Sequence, residues 1–337
     1  MRSIFYYQLM LISVVPIISC RGQQPFGENY LQQAKIISLP GVKGRIDHLD
    51  VNLNDQLLYV AAVGNNSLEV VDLKSGKVIH SITGLSEPQG ICYIPQRQEI
   101  FISNGGNGDC YFYDDRFSKI ATIQLKADAD NVRYDSSERK IYVGYGSGGI
   151  AVISTDTHKQ TGNIPLPSHP EGFQIDKTNN LLYVNLPASN EIGIAELKKL
   201  KLISGWGKNY RSGNFPMALD QEEHKLFIGY RHPGKLVVMD TKTGNRISVS
   251  ELTNDSDDLF YEGLSKRVYV SCGGGYTRLG FINIFQLENT SVNYKQIANI
   301  PTRNGARTSL LIPRLKLFIV AEPSVFSHDA ELLIYRY

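Results

Sequence analysis

The sequence predicts an all-β protein, a seven-bladed β-propeller of four-stranded antiparallel blades. An aromatic residue followed by Val or Ile recurs seven times, with a period of about 40–50 residues. The apolar residues around each copy alternate with a period of two, which is typical of strands and not of helices. The composition, with 30 Gly and 19 Tyr in 337 residues, favours many turns and many strands. The seven copies are Tyr59-Val60, Phe101-Ile102, Tyr142-Val143, Tyr183-Val184, Phe227-Ile228, Tyr269-Val270 and Phe318-Ile319.

The first twenty residues have the pattern of an export signal. Arg2 is followed by an apolar stretch over 4–18 that is too short and too interrupted for a permanent membrane span. The stretch ends in Ser19-Cys20, which resembles the lipobox of bacterial lipoproteins and implies cleavage before Cys20 and lipid attachment to it. An ordinary signal peptide with an incidental cysteine is the alternative. We therefore expect a signal peptide over 1–19, a lipid-anchored tether over 20–33 and one propeller domain over 34–337, exported and held at the bacterial outer membrane on its periplasmic side or its surface.

Each repeat unit has the pattern of four strands. In the first unit, an apolar segment over 49–53 and a polar turn over 54–56 precede the aromatic strand. A Gly/Asn-rich loop then leads to a third strand that ends in Val70-Val71-Asp72, and a turn in which Gly76 supplies a positive φ leads to a fourth strand over 78–82. A single sheet of this kind leaves both of its faces uncovered, and seven of them stacked in a ring cover one another.

The two ends of the chain predict how the ring closes. The seventh unit has room for only one strand after its aromatic strand, Glu331–Tyr335. The strand-like segment Ala34–Leu39 precedes the first unit and has no partner of its own. We expect this segment to complete the last blade, because pairing it there removes an exposed sheet edge.

The repeat resembles that of the YVTN-repeat (YncE-like) propellers. The resemblance is carried best by Leu58-Tyr59-Val60-Ala61 with the turn Asp72–Lys77, and by Ile141-Tyr142-Val143-Gly144. It covers about residues 34–337 and implies an exported seven-bladed propeller. It implies no single activity, because related propellers serve as quinoprotein subunits, as haem-domain propellers of nitrite reductases and as metal-dependent lactonases.

Polar residues recur where the first strand of each unit begins, at the predicted mouth of the central channel. The position twelve residues before the repeat aromatic is acidic in four of the seven units, if one deletion is allowed in the last unit so that Pro313 matches Pro95. Carboxylates gathered in this way repel one another unless a cation, an arginine or protonation offsets their charge. The seven residues are Asp47, Gln89, Asp130, Glu171, Phe215, Asp257 and Arg307.

These residues predict a binding site at the mouth. Hard oxygen ligands suit Ca²⁺, Mg²⁺ or Mn²⁺, and Zn²⁺ would suit the site if two histidines converged there. An organic cation would fit the same field, and the same acids could instead cap turns with no ligand at all. The predicted metal ligands are Asp47, Asp130, Glu171 and Asp257. The predicted ligand-binding residues are His48, Asn131, Arg133, His169, Asp258 and Arg307.

The favoured function is a lipid-anchored binding or scaffold module that holds a small molecule, a metal ion or a periplasmic protein partner at the mouth. A net charge of +2 gives no field that would favour nucleic acid. The alternative is a metal-dependent lactonase or hydrolase that uses the acids as metal ligands and His48 or His169 as base. A redox subunit that carries haem or a quinone is a third hypothesis. Loop residues on the same face, among them Tyr230, Arg231 and His232, predict an additional recognition surface.

Overall fold

The computed structural model describes residues 27–207, 213–275, 279–288, 292–326 and 328–337. The predicted signal peptide, Cys20 and the first part of the tether lie outside these residues. The described residues form seven four-stranded antiparallel sheets, so the predicted fold class is confirmed. In this part of the chain no helix is long and apolar enough to cross a membrane.

The strands follow one another along the chain, and each sheet is numbered here as a blade. Blade 1 consists of β2 (Leu49–Asn52), β3 (Leu57–Ala62), β4 (Ser67–Asp72) and β5 (Lys77–Thr83), and blade 2 consists of β6 (Pro88–Ile94), β7 (Glu99–Asn104), β8 (Asp109–Tyr113) and β9 (Lys119–Gln124). Blade 3 consists of β10 (Ala129–Asp135), β11 (Lys140–Tyr145), β12 (Gly149–Ser154) and β13 (Lys159–Pro165), and blade 4 consists of β14 (Phe173–Asp176), β15 (Leu181–Leu186), β16 (Glu191–Glu196) and β17 (Lys201–Trp206).

Blade 5 consists of β18 (Asn214–Asp220), β19 (Lys225–Arg231), β20 (Gly234–Asp240) and β21 (Arg246–Glu251). Blade 6 consists of β22 (Ser256–Glu262), β23 (Arg267–Cys272), β24 (Gly280–Leu287) and β25 (Tyr294–Thr302). Blade 7 consists of β26 (Thr308–Ile312), β27 (Leu317–Glu322), β28 (Glu331–Arg336) and β1 (Gln32–Ser38). Short 3-10 helices lie at Glu28–Tyr30, Val63–Asn65, Pro187–Ser189 and Pro313–Leu315. The first strand of every blade contacts the first strand of the next, and β26 contacts β2. These seven strands therefore surround a central channel.

The ring closes as the sequence predicts, with β1 as the fourth strand of blade 7. It pairs antiparallel to β28, with Ile36 opposite Leu333 and Ile37 opposite Leu332. Ile37 is buried with residues of blades 7 and 1 in one apolar cluster, whereas Ile36 points outward. The closing strand thus covers the face between the last blade and the first.

The repeat aromatics lie in the second strand of each blade, opposite an inner-strand residue. Tyr59 pairs with Asp50 in blade 1, and Tyr269 pairs with Phe260 in blade 6. In blade 7, Ile319 takes this place opposite Leu310, because Phe318 lies one residue earlier along its strand. The offset in the last unit is therefore a shift of the aromatic and not the deletion that the sequence comparison assumed.

Ile37→Ala tests the closure. We expect this substitution to lower the free energy of unfolding by about 2–5 kcal/mol, because it leaves a cavity between blades 7 and 1. Ile36→Ala on the neighbouring residue is the matched control, and because Ile36 is 50% exposed we expect a loss below about 1 kcal/mol. Urea denaturation measures both, and equal losses for the two variants would contradict the proposed role of β1.

Candidate functional site

The seven residues predicted for the channel mouth line one cavity. This cavity, called the mouth from here on, has a volume of about 210 Å³ and opens where the first strands begin. All seven equivalent positions border it: Asp47, Gln89, Asp130, Glu171, Phe215, Asp257 and Arg307. His48, Asn131 and His169 also border it, as do Arg45, Asp128 and Arg231, which the sequence did not assign to it. The ring therefore brings together side chains from all seven blades.

Hydrogen bonds between blades fix the backbone of the mouth. The Ser103 hydroxyl donates to the Asp130 carbonyl at 2.7 Å, and the Ser271 hydroxyl donates to the Arg307 carbonyl at 2.6 Å. The Asn185 amide donates to the Phe215 carbonyl at 2.9 Å. In each case the second strand of one blade holds the mouth residue of the next, so the positions of the mouth side chains are set by the ring itself.

Arginines neutralise one side of the mouth. Arg307 donates from Nη1 to Asp255 Oδ1 at 3.0 Å and its Nε lies 2.9 Å from Asp257 Oδ2. Arg231 forms a hydrogen bond with Asp257, and Arg45 forms one with Asp47. Burial would raise the pKa of Asp257, but the charges of Arg231 and Arg307 outweigh it and hold this pKa below its ordinary value. Asp257 is therefore an ionised, fully paired carboxylate.

Arg231 belongs to the mouth, although the sequence placed it among exposed loops. Its guanidinium carbon lies 3.4 Å from the centroid of the Phe215 ring, and its Nε donates to the Ser256 carbonyl at 3.0 Å. The stacking holds the guanidinium flat against one wall. The residues equivalent to Phe215 in the other six blades are all polar. This difference was the one feature of the sequence that indicated a planar cation packed against this position.

His48 lies between two acids at the inner end of the mouth. Its Nδ1 is 3.3 Å from Asp258 Oδ1, and its Nε2 is 3.8 Å from Asp130 Oδ1. Burial alone would lower the pKa of His48, but Asp258 and the neighbouring carboxylates raise it to about 10. His48 is therefore an imidazolium at neutral pH, which makes it a poor general base. Asp258 also accepts the Ser309 backbone N–H at 2.8 Å, so it is held on both sides.

Two further acids of the mouth, Asp130 and Glu171, have fewer partners than Asp257 and Asp258. Burial and the surrounding carboxylates raise the pKa of Asp130 to about 7 and that of Glu171 to about 9. Among the described residues, no group donates a hydrogen bond to Asp130 Oδ1 or to the Glu171 carboxyl. Glu171 is therefore mostly protonated at neutral pH. Asp130 Oδ1 is buried, and its nearest charged group is the imidazolium of His48 at 3.8 Å.

The predicted histidine pair does not converge on one point. His169 holds the Gly146 carbonyl through Nδ1 at 2.6 Å, and its Nε2 lies 3.9 Å from Asp128 at the rim. His48 is occupied by its own acids. Over the described ranges, no three His, Cys, Asp or Glu side chains are grouped closely enough to hold a metal ion. The metal roles of Asp47, Asp130, Glu171 and Asp257 therefore remain predictions, and the observed pairing of Asp47 and Asp257 with arginines offers an alternative use for two of them.

Two further predicted residues lie deeper. Asn131 borders both the mouth and a larger cavity in the channel. Arg133 borders the larger cavity and is not among the residues that line the mouth.

The comparisons with known proteins identify the fold alone. A chain in a crystal structure of a mitotic checkpoint complex has a TM-score of 0.74 to this protein, covering 100% of this chain and 99% of that one at 16% identity. In all, 1689 chains of solved structures match, so the likeness points to a common architecture and to no single activity. No family profile and no curated protein matches the chain. β-Propellers are generally binding or scaffold modules.

The raised pKa of Glu171 predicts a pH-dependent stability. The pKa of Glu171 is about 9 in the folded protein and 4.5 ordinarily. The contribution of Glu171 to the free energy of unfolding is therefore complete below pH 4.5 and is lost as the pH rises through 9. We expect Glu171→Gln to reduce this loss, by at most about 1.4 kcal/mol per pH unit, the value for one proton. Denaturation between pH 5 and pH 9 measures the effect. Glu222→Gln, at an exposed position, should follow the wild type, and identical curves for all three proteins would contradict the assignment.

Proposed function

We propose that this protein is a binding module that takes up a small organic cation, such as an amine, in the mouth. The observation that carries the proposal is the unequal use of the acids. Asp47 and Asp257 are paired with arginines, whereas Asp130 has only His48 at 3.8 Å and Glu171 accepts no hydrogen bond from the described residues. An ammonium group placed between Asp130 and Glu171 would supply hydrogen-bond donors to both side chains and the positive charge that Glu171 lacks.

The arginines do not favour an anion at the same place. Arg45, Arg231 and Arg307 already donate to Asp47, Asp255 and Asp257, and an anion would have to displace these carboxylates. Loss of such an arrangement is costly because it leaves buried charges uncompensated. A cation between Asp130 and Glu171 disturbs none of these arginine–carboxylate pairs.

The size of the mouth limits the ligand. Its volume of about 210 Å³ is below the range of about 300–1,000 Å³ that is usual for drug-sized ligands. A short amine fits this space. Uptake of a cation would ionise Glu171, so binding would release a proton and become tighter as the pH rises towards 9.

The proposal includes membership in the YVTN-repeat (YncE-like) propellers and a lipid anchor on Cys20. The support is the Tyr-Val repeat, the seven-bladed ring and the Ser19-Cys20 lipobox. A rigid ring on a lipid tether would hold its ligand close to the bacterial membrane, either in the periplasm or at the cell surface.

Titration with putrescine tests the binding function. We expect the double variant Asp130→Asn, Glu171→Gln to bind putrescine at least tenfold more weakly than the wild type, and the exposed control Glu222→Gln to bind it equally well. Calorimetry in two buffers of different ionisation enthalpy should also detect proton release at pH 7.5. Ca²⁺, Mg²⁺, Mn²⁺ and Zn²⁺ are titrated in parallel. Putrescine binding that is absent, or that the double variant retains, would exclude the proposed site.

Substitution of Cys20 tests the anchor. The wild-type chain produced in a bacterium should partition into the detergent phase of Triton X-114, because its acyl chains each contribute about 0.8 kcal/mol per buried CH₂. Cys20→Ala should partition into the aqueous phase. Detection of the propeller in both phases by antibody measures this, and a variant that stays in the detergent phase would argue against lipidation at Cys20.

A further inference from the structure

The channel contains a second and larger cavity beyond the mouth. Its volume is about 700 Å³, which lies within the usual range for small-molecule sites. His48, Asn131, Gly172 and Asp257 border both cavities, so they form the boundary between them. The function proposed for the mouth does not involve this cavity.

The inner strands give the cavity two different walls. The residue opposite the repeat aromatic position points into it from every blade. Blades 1, 3 and 4 contribute Asp50, Arg133 and Gln174, blade 2 contributes Cys92, and blades 5, 6 and 7 contribute Ala218, Phe260 and Leu310. Within this layer one side is mostly polar and the other side is apolar. Asp257 and Asp258 of blade 6 also border the cavity.

Most of the polar wall is already engaged. Asp50 accepts the Tyr93 backbone N–H at 2.6 Å, and Gln174 donates to the Met217 carbonyl at 2.7 Å. These bonds satisfy backbone groups of the neighbouring inner strands, which have no further strand to pair with. Asp50 and Gln174 thus have structural partners, and Arg133 is the exception.

Arg133 has donors to spare. Its guanidinium is enclosed by the ring, and the one hydrogen bond found for it in the described residues runs from Nη1 to the adjacent Val132 carbonyl at 2.8 Å. No carboxylate of the described chain lies within ion-pairing distance of it. Burial lowers the pKa of Arg133, and the charges of the nearby carboxylates of Asp258, Asp130 and Asp50 do not offset the lost hydration in full. The remaining N–H groups border an open cavity.

We propose that this cavity is a second binding site, specific for an organic carboxylate with an apolar body. The planar fork of Arg133 matches a carboxylate in a bidentate arrangement. The apolar body of the ligand would lie towards Ala218, Phe260 and Leu310, where it displaces water from apolar surface. The ring centroid of Phe173 is 5.5 Å from the guanidinium carbon, so Phe173 makes a cation–π contact with Arg133.

Benzoate, with benzamide as its neutral isostere, tests the proposal on the intact chain. By ligand-observed NMR titration, we expect benzoate to bind at least tenfold more tightly than benzamide. Arg133→Met, which keeps the length of the side chain but removes its donors, should weaken benzoate at least tenfold. Arg116→Met, at an exposed position, should leave benzoate binding unchanged.

A wild-type crystal soaked in 4-iodobenzoate keeps the test independent of how well the variant folds. The iodine should give an anomalous peak in the larger cavity, with the carboxylate on Arg133. A peak elsewhere or none at all, benzamide binding as tight as benzoate, or full benzoate affinity in folded Arg133→Met would each overturn the proposal.

Discussion

Every blade of this protein must be covered on both faces, and the structure depends on that constraint. A four-stranded sheet exposes two apolar faces, so the only stable arrangement of seven such sheets in a row is one in which the last meets the first. Strand β1 makes that contact by pairing with β28 and burying Ile37 between blades 7 and 1. The mouth depends on the same closure, because Asp47 comes from blade 1 and Arg307 from blade 7.

Within the mouth, the environment divides chemically similar acids into two groups. Asp257 faces Arg231 and Arg307 and has a pKa below its ordinary value, whereas Glu171 faces other carboxylates and has a pKa of about 9. Burial acts in the same direction on both groups, so the difference comes from the neighbouring charges. Asp257 is occupied by its arginines, whereas Glu171 remains for a ligand. This division supports a cation-binding mouth more strongly than a metal centre built from all four acids.

The sequence predicted the backbone better than it predicted the contacts. Period and alternation are local properties, so the seven blades and the closing segment Ala34–Leu39 could be predicted from them. The mouth positions followed because equivalent residues of a ring face one axis. The partners of those residues did not follow from the sequence. Arg231, at the end of β19, contacts Phe215 of its own blade and Asp257 of the next blade, and both contacts depend on the three-dimensional path of its side chain. The place of Arg133 also could not be predicted from the sequence. Asn131 borders the mouth, whereas Arg133, two residues further along β10, borders the larger cavity instead.

The central claim is that ring closure holds Glu171 as an unpaired, mostly protonated acid beside Asp130. The most direct measurement is the pH dependence of the carboxyl ¹³C shift of Glu171 in ¹³C-glutamate-labelled protein, with the resonance assigned by its loss in Glu171→Gln. The account predicts a midpoint near pH 9. A midpoint near the ordinary value of 4.5 would show that Glu171 is solvated or paired and would contradict the account.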